Sequence, residues 1–190
     1  MADIKQQDVV DLLLEQHNQV KSLFSQLGSA QGAQKRELFE DLVRLLAVHE
    51  SAEEEVVHPA ARQAIADGER IVDRRLREED EAKQALAELY DLGVEHPDFD
   101  RKLTALSQAV LAHATHEEDE EFSQLRQSLP ADRLRRMAGV VKAAEATAPT
   151  RPHPAVGESR AANLLGGPPA AVFDRLRDAV RDWRQSHPED

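Results

Sequence analysis

The sequence predicts an all-α fold, an up-down-up-down four-helix bundle with a C-terminal helical extension. Apolar residues recur at alternating spacings of three and four over long stretches, as packed bundle helices require. Gly- and Pro-containing breakers separate those stretches by short links, which makes consecutive helices antiparallel neighbours. Composition agrees: only 4% of residues are aromatic and 32% are charged, which suits solvated helices around a Leu- and Ala-rich interior.

The first helix is predicted from near Ile4 to Leu27, with Val10, Leu13, Val20, Phe24 and Leu27 on one seam, and it ends at Gly28. The second runs from near Gln34 to Ala66 and stops at Asp67-Gly68. Pro59 removes a backbone donor late in it, so a kink is expected there. The third spans about Glu69 to Leu92 and closes at Gly93 before the His96-Pro97-Asp98 loop. The fourth extends from about Phe99 to Gln127, ahead of Pro130. These helices form a predicted bundle domain over 1–128, and a further short helix occupies 129–146. From 147 to 190 a Pro/Gly-rich linker leads to an amphipathic helix carrying Val172, Phe173, Leu176, Val180 and Trp183 on one face. That face is expected to dock on its own bundle or on a second subunit, giving a homo-oligomer; a membrane surface is the weaker alternative, because Asp residues interleave with the Arg residues.

The formal net charge of −12 argues against a nucleic-acid partner, since phosphate contacts need clustered Lys and Arg. With no cysteine, disulfides, thiolate metal sites and a cysteine nucleophile are excluded, so any metal is held by nitrogen and oxygen. The N-terminal stretch has no signal-peptide pattern and no segment reaches the length needed to span a bilayer, which predicts a cytoplasmic protein. Phosphate-binding loops, nucleophile elbows and dinucleotide fingerprints are also absent.

Chemistry is concentrated in two copies of His-x-x-x-Glu, His49 to Glu53 and His113 to Glu117. Four residues rotate a side chain by only about 40° on an α-helix, so each imidazole and carboxylate face the same way as a chelating pair. His17 occupies a core position of the first helix, and both pairs continue the apolar stripes of theirs. Burying these groups without partners would cost several kcal/mol each, whereas a shared cation satisfies them together. Three imidazoles and two carboxylates exceed the four ligands of a structural zinc and suit two cations. The third helix has no histidine in LREEDEAKQAL. By phase, Glu79 lies nearest the stripe of Val72, Leu76, Leu86 and Tyr90, with Asp80 to one side.

The remaining histidines fit less well. His116 lies off the inward stripe, His58 lies about half a revolution from His49 by α-helical phase, and His96, His153 and His187 sit beside prolines in loops or the tail. Glu118 and Glu121 are alternatives that a small change of phase would turn inward. Lys21 and Lys83 lie near the proposed ligands, where either can pair with an acid.

In this order the residues resemble the hemerythrin-like, or HHE cation-binding, family: one His on the first helix, His-x-x-x-Glu on the second, one His on the third and His-x-x-x-Glu on the fourth. The resemblance covers roughly residues 8 to 127. It implies metal ligands His17, His49, Glu53, His113 and Glu117. The third-helix position falls on Asp80, in a Glu-Glu-Asp context where related chains carry Glu-Glu-His. Alignment therefore selects Asp80 where helix phase selects Glu79, and Asp80 is the preferred sixth ligand. The implied cofactor is a non-haem di-iron centre, oxo- or hydroxo-bridged, with zinc or manganese as other cations. Its implied small ligands are O2, peroxide or NO. A carboxylate in place of an imidazole adds negative charge and favours the ferric state, so redox turnover or metal handling is expected over oxygen carriage. An iron or oxygen sensor, and a purely structural bundle with hydrogen-bonded histidines, are the competing readings.

Overall fold

The computed structural model describes the backbone of residues 7–147 and side chains through residue 143. Helix α1 (Val9–Leu27) starts at Asp8, whose Oδ1 accepts the Asp11 N–H at 2.9 Å while Asp11 Oδ2 accepts the Asp8 N–H at 3.3 Å. This reciprocal cap satisfies two donors that the first turn leaves free. Helix α2 (Gly32–Ala52) passes directly into a π-helical turn (Glu53–Val57) and then α3 (His58–Ala64). The expected interruption at Pro59 takes this form. Pro59 has no N–H to give the preceding turn, and the widened turn closes through the His58 N–H on the Glu53 carbonyl.

Helix α3 ends at Ala64, slightly short of the predicted Ala66, and a tight reversal leads into α4 (Gly68–Leu92). A Cβ on Gly68 would lie 2.9 Å from the Arg62 carbonyl oxygen, so only glycine lets the two helices approach this closely. Gly93, at φ 79°, ends α4 in a conformation open mainly to glycine. Helix α5 (Phe99–His116) again runs into a π-helical turn (Glu117–Phe122), followed by α6 (Ser123–Ser128) and α7 (Ala131–Thr147).

These elements form the up-down-up-down helical bundle. Helix α1 packs on α2 and α5, and α4 packs on α5 and α3. The apolar interior is divided in two. At one end Val9, Leu13, Val57, Ile71, Val72, Phe122 and Leu125 pack together; at the other Val20, Leu27, Leu42, Leu86, Leu89, Phe99 and Leu106 do so. Each fully buried Leu or Phe contributes roughly 1.5–3 kcal/mol. The polar residues picked out by the motifs lie between these halves in sequence on α1, α4 and α5, where the apolar stripe is interrupted.

Helix α7 adds Leu134, Met137, Ala138, Val140 and Val141 to the first apolar half and packs against α1, α2 and the first π turn. The predicted linker and amphipathic helix of 148–190 lie outside the described residues, and so does the docking expected of them. Among the described residues, no helix is long and apolar enough to cross a membrane.

Candidate metal centre

His17 comes from the middle of α1, His49 from the last turn of α2 and His113 from the last turn of α5. Each imidazole is buried, and each has Nδ1 engaged on an outward oxygen. His17 Nδ1 lies 2.9 Å from Glu118 Oε1, His49 Nδ1 2.8 Å from Gln16 Oε1, and His113 Nδ1 3.0 Å from Glu78 Oε2. Carboxylate and amide oxygens only accept, so each Nδ1 carries a proton, which leaves each Nε2 as the inward atom that would face a cation.

The Nε2 atoms meet carboxylates. His49 Nε2 lies 3.3 Å from Glu53 Oε2, within its own His-x-x-x-Glu pair. Glu117 reaches two imidazoles: its Oε1 lies 3.2 Å from His113 Nε2 and its Oε2 3.3 Å from His17 Nε2. Two convergent groups result, His17, His49, Glu53 and Glu117 on one side and Glu53, Glu79, His113 and Glu117 on the other. Within each, one donor atom per residue lies within 4.8 Å of the others, and every residue is buried. Glu53 and Glu117 belong to both groups.

The donor atoms lack ordinary partners. Both oxygens of Glu53, both of Glu117, Glu79 Oε2 and His113 Nε2 are buried without a hydrogen bond. Orphaned buried acceptors at this density are expensive unless something electropositive sits among them. Two cations sharing the carboxylates of Glu53 and Glu117 fit this donor set, and imidazole with carboxylate is the set that iron, manganese and zinc accept.

Without a cation the charges are frustrated. Burial, and next the neighbouring His17, push His49 down to about 3. Burial, then the nearby Glu117 and Glu79 carboxylates, hold the Glu53 carboxyl well above its ordinary range. Burial opposes charge on His113, yet Glu117 and Glu78 outweigh it and push it up to about 11. Burial likewise disfavours the Glu117 carboxylate, but His113 and His17 hold it well below the usual range.

Five of the six sequence-predicted ligands, His17, His49, Glu53, His113 and Glu117, come together. The sixth does not: Asp80 is exposed, whereas Glu79 is 1% exposed and lies in the second group. The correction has a geometric reason, since residues one apart on a helix point about 100° apart and only Glu79 continues the inward stripe of α4. Of the other histidines, His116 is half exposed and lies 3.2 Å from Glu78 Oε1, behind the carboxylate that holds His113. His96 lies in the exposed loop before α5.

Sequence periodicity missed more around the centre. His58 is buried, with Nε2 2.7 Å from Glu79 Oε1 and Nδ1 3.0 Å from Glu121 Oε1. A π turn holds one residue more than an α turn and retards the phase of the next helical residues by about 100°, which brings His58 round from the far side. The signal for it was Pro59. Lys83, which the sequence places near a ligand with an acid to pair with, pairs with Glu54, lies 3.3 Å from Glu50 Oε2 and reaches within 3.6 Å of Glu79 Oε2. Arg75 is wholly buried on α4, 3.3 Å from Glu78 and 3.5 Å from Glu120.

Comparison with known proteins gives a consistent answer. The family model of the hemerythrin HHE cation-binding domain matches residues 8–125. A DNA nickase of Nostoc sp. is 28% identical over 145 residues, covering 76% of this chain and 41% of that protein, so the chain matches less than half the length of this relative. An uncharacterised hemerythrin-like protein of Schizosaccharomyces pombe is 23% identical over 177 residues, covering 92% of this chain and 87% of that one. Among solved structures, a hemerythrin HHE cation-binding domain-containing protein of Mycobacterium kansasii superposes with a TM-score of 0.65. It is 14% identical, with 96% of this chain and 95% of that one covered, a likeness of fold.

Proposed function

Since the chain belongs to the hemerythrin HHE cation-binding family, we propose that it holds a pair of non-haem iron ions and uses them in redox chemistry with O2, peroxide or NO. The observation that carries this reading is the sharing of Glu53 and Glu117 between two convergent groups, with Glu117 directing one oxygen to His113 and the other to His17. A single cation needs no such division. One set supplies His17 and His49, and the other supplies Glu79 and His113, with Glu53 and Glu117 common to both.

Iron bound there would supply reversible one-electron steps at each metal and an open position for a small oxidant. The chain's own contribution is positional. Gln16, Glu78 and Glu118 fix the imidazoles with Nε2 inward, and the apolar halves above and below exclude bulk water. Because all six donors are buried, the reactant must be small, which favours diatomic ligands and peroxide over organic substrates. The carboxylate of Glu79 in the second set favours the ferric state, and thereby turnover over simple carriage. The net charge of −12 disfavours phosphate binding, and nucleic acid forms no part of this proposal despite the name of the Nostoc relative.

Anaerobic reconstitution with ferrous iron, followed by elemental analysis and optical spectra on exposure to O2, peroxide and NO, tests the proposal. Two irons per chain and visible charge-transfer bands are expected, with multiple turnovers of peroxide if the centre is catalytic. Failure to retain stoichiometric iron, or a loaded centre inert to all three reactants, would overturn it.

A further inference from the structure

His58 is absent from the motif pattern, yet it is among the most completely buried side chains of the bundle, at 2% exposure. Its two ring nitrogens are spent on two carboxylates from different helical segments, Glu79 of α4 at 2.7 Å and Glu121 of the second π turn at 3.0 Å. Both carboxylates are buried, and Glu121 Oε2 has no hydrogen bond. The imidazole thus ties the third helix of the bundle to the fourth just behind the second convergent group.

The consequence falls on Glu79. A carboxylate at a metal can bind through one oxygen or chelate through two, and it can rotate between these modes. Here Oε1 is held by His58 Nε2, and only Oε2 is left without a hydrogen bond. We propose that His58 is a positioning residue that pins Glu79, so that Glu79 meets the second cation through one oxygen, as an imidazole would through one nitrogen. The inference rests on the cation-pair reading above and adds a residue to it. The π turn at Glu53–Val57 is part of the device, because it turns His58 inward directly after the shared ligand Glu53. Such widened turns recur where a helix has to present an additional functional side chain.

The test is a double-mutant cycle read by calorimetric titration with cobalt(II), with the visible cobalt spectrum as reporter of coordination. The parent chain is expected to take up two equivalents. In His58→Phe the second equivalent should weaken at least tenfold while the first, at His17 and His49, is unchanged. In a Glu79→His background the pin has nothing to hold, so adding H58F should change the second equivalent less than twofold. Equal weakening in both backgrounds marks His58 as general scaffolding and overturns the proposal, as does no weakening in either.

Should H58F fail to fold, a crystal structure of the unaltered chain loaded with cobalt decides the matter. It must show one Glu79 oxygen on the metal and the other within hydrogen-bond distance of His58 Nε2. Both Glu79 oxygens on the metal, or His58 itself as a ligand, overturns the pin. A parent chain that binds no cobalt stoichiometrically defeats the cation-pair reading itself; a parent and an H58F variant that bind two equivalents equally well defeat only the pin.

Discussion

The Nε2 atoms of His17 and His49 lie 3.1 Å apart, although 32 residues and a helix reversal separate them. Nδ1 of each ring is engaged outward, on Glu118 and on Gln16, so the two Nε2 atoms crowd one buried spot that requires a proton or cation shared between them. Burial, and then the neighbouring His17, push His49 down to about 3, so a proton on His49 does not relieve that crowding. A divalent cation relieves it in the folded state alone, so it must stabilise the fold. At a hundredfold excess over its dissociation constant the gain is about 2.7 kcal/mol per site. For a domain of this size that is a rise in Tm of roughly 5–10 °C. Differential scanning fluorimetry with ferrous, manganous or zinc ion, reversed by a chelator, checks it. His17→Ala and His49→Ala should each remove the first cation's share of the shift, and a parent chain indifferent to all three cations would contradict the expectation.

Glu79 and Asp80 separate alignment from helix phase. Asp80→Asn changes an exposed side chain and should leave cation stoichiometry unchanged and stability within about 0.5 kcal/mol. Glu79→Gln removes a buried carboxylate from the second group, so the second equivalent of cation should be lost or weakened at least tenfold. Elemental analysis and titration of the two variants side by side decide it, and the reverse pattern would restore Asp80 as the ligand.

How much of this was legible from the residues depends on the kind of turn that carries them. His17, His49 and His113 replace apolar residues at regular α-helical spacing, so the seam of Val10, Leu13 and Val20 located the first and the stripes of Leu38, Leu42 and Leu45 and of Leu103, Leu106 and Val110 located the others. Glu79 was equally available from phase, and only the register of the family's Glu-Glu-His pattern displaced it by one residue. Helix phase sets His58 aside because it follows the shared Glu53 through a π turn, where counting at 100° per residue gives the wrong face, and Glu121, placed likewise after Glu117, stands only as an alternative that a change of phase would turn inward. Gln16 and Glu78 escaped for a different reason. They sit beside ligands, but their roles arise from contacts between helices, and nothing in local spacing distinguishes them from solvated surface residues.

Those outer oxygens have a measurable function. Glu78 Oε2 accepts from His113 Nδ1 at 3.0 Å, with the buried Arg75 3.3 Å behind it and His116 on its other oxygen at 3.2 Å. Gln16 does the corresponding service for His49 at 2.8 Å. Replacing such partners of metal-bound imidazoles costs about 10–100-fold in cation affinity. Glu78→Ala should therefore weaken the second equivalent and Gln16→Ala the first, each by that order, with helical content by circular dichroism unchanged. Two variants that weaken the same equivalent would show that the imidazoles do not divide between separate cations.

Cation uptake is also expected to release protons. In the cation-free chain His113 is pushed up to about 11, burial being outweighed by Glu117 and Glu78, so its imidazole is protonated at neutral pH. The Glu53 carboxyl is held well above its ordinary range by burial and then by Glu117 and Glu79, so a proton competes there more strongly than at a free carboxylate. His49, pushed down to about 3, is already neutral and releases none. A cation needs His113 Nε2 and the Glu53 oxygens bare, so protons compete with it and affinity must rise with pH. A proton released from His113 raises the binding constant about tenfold per pH unit, so affinity should rise at least about tenfold between pH 7 and pH 8. Calorimetry in two buffers of different ionisation enthalpy counts the protons directly. A binding enthalpy independent of the buffer, together with an affinity flat across that pH range, would mean that His113 and Glu53 do not receive the cation.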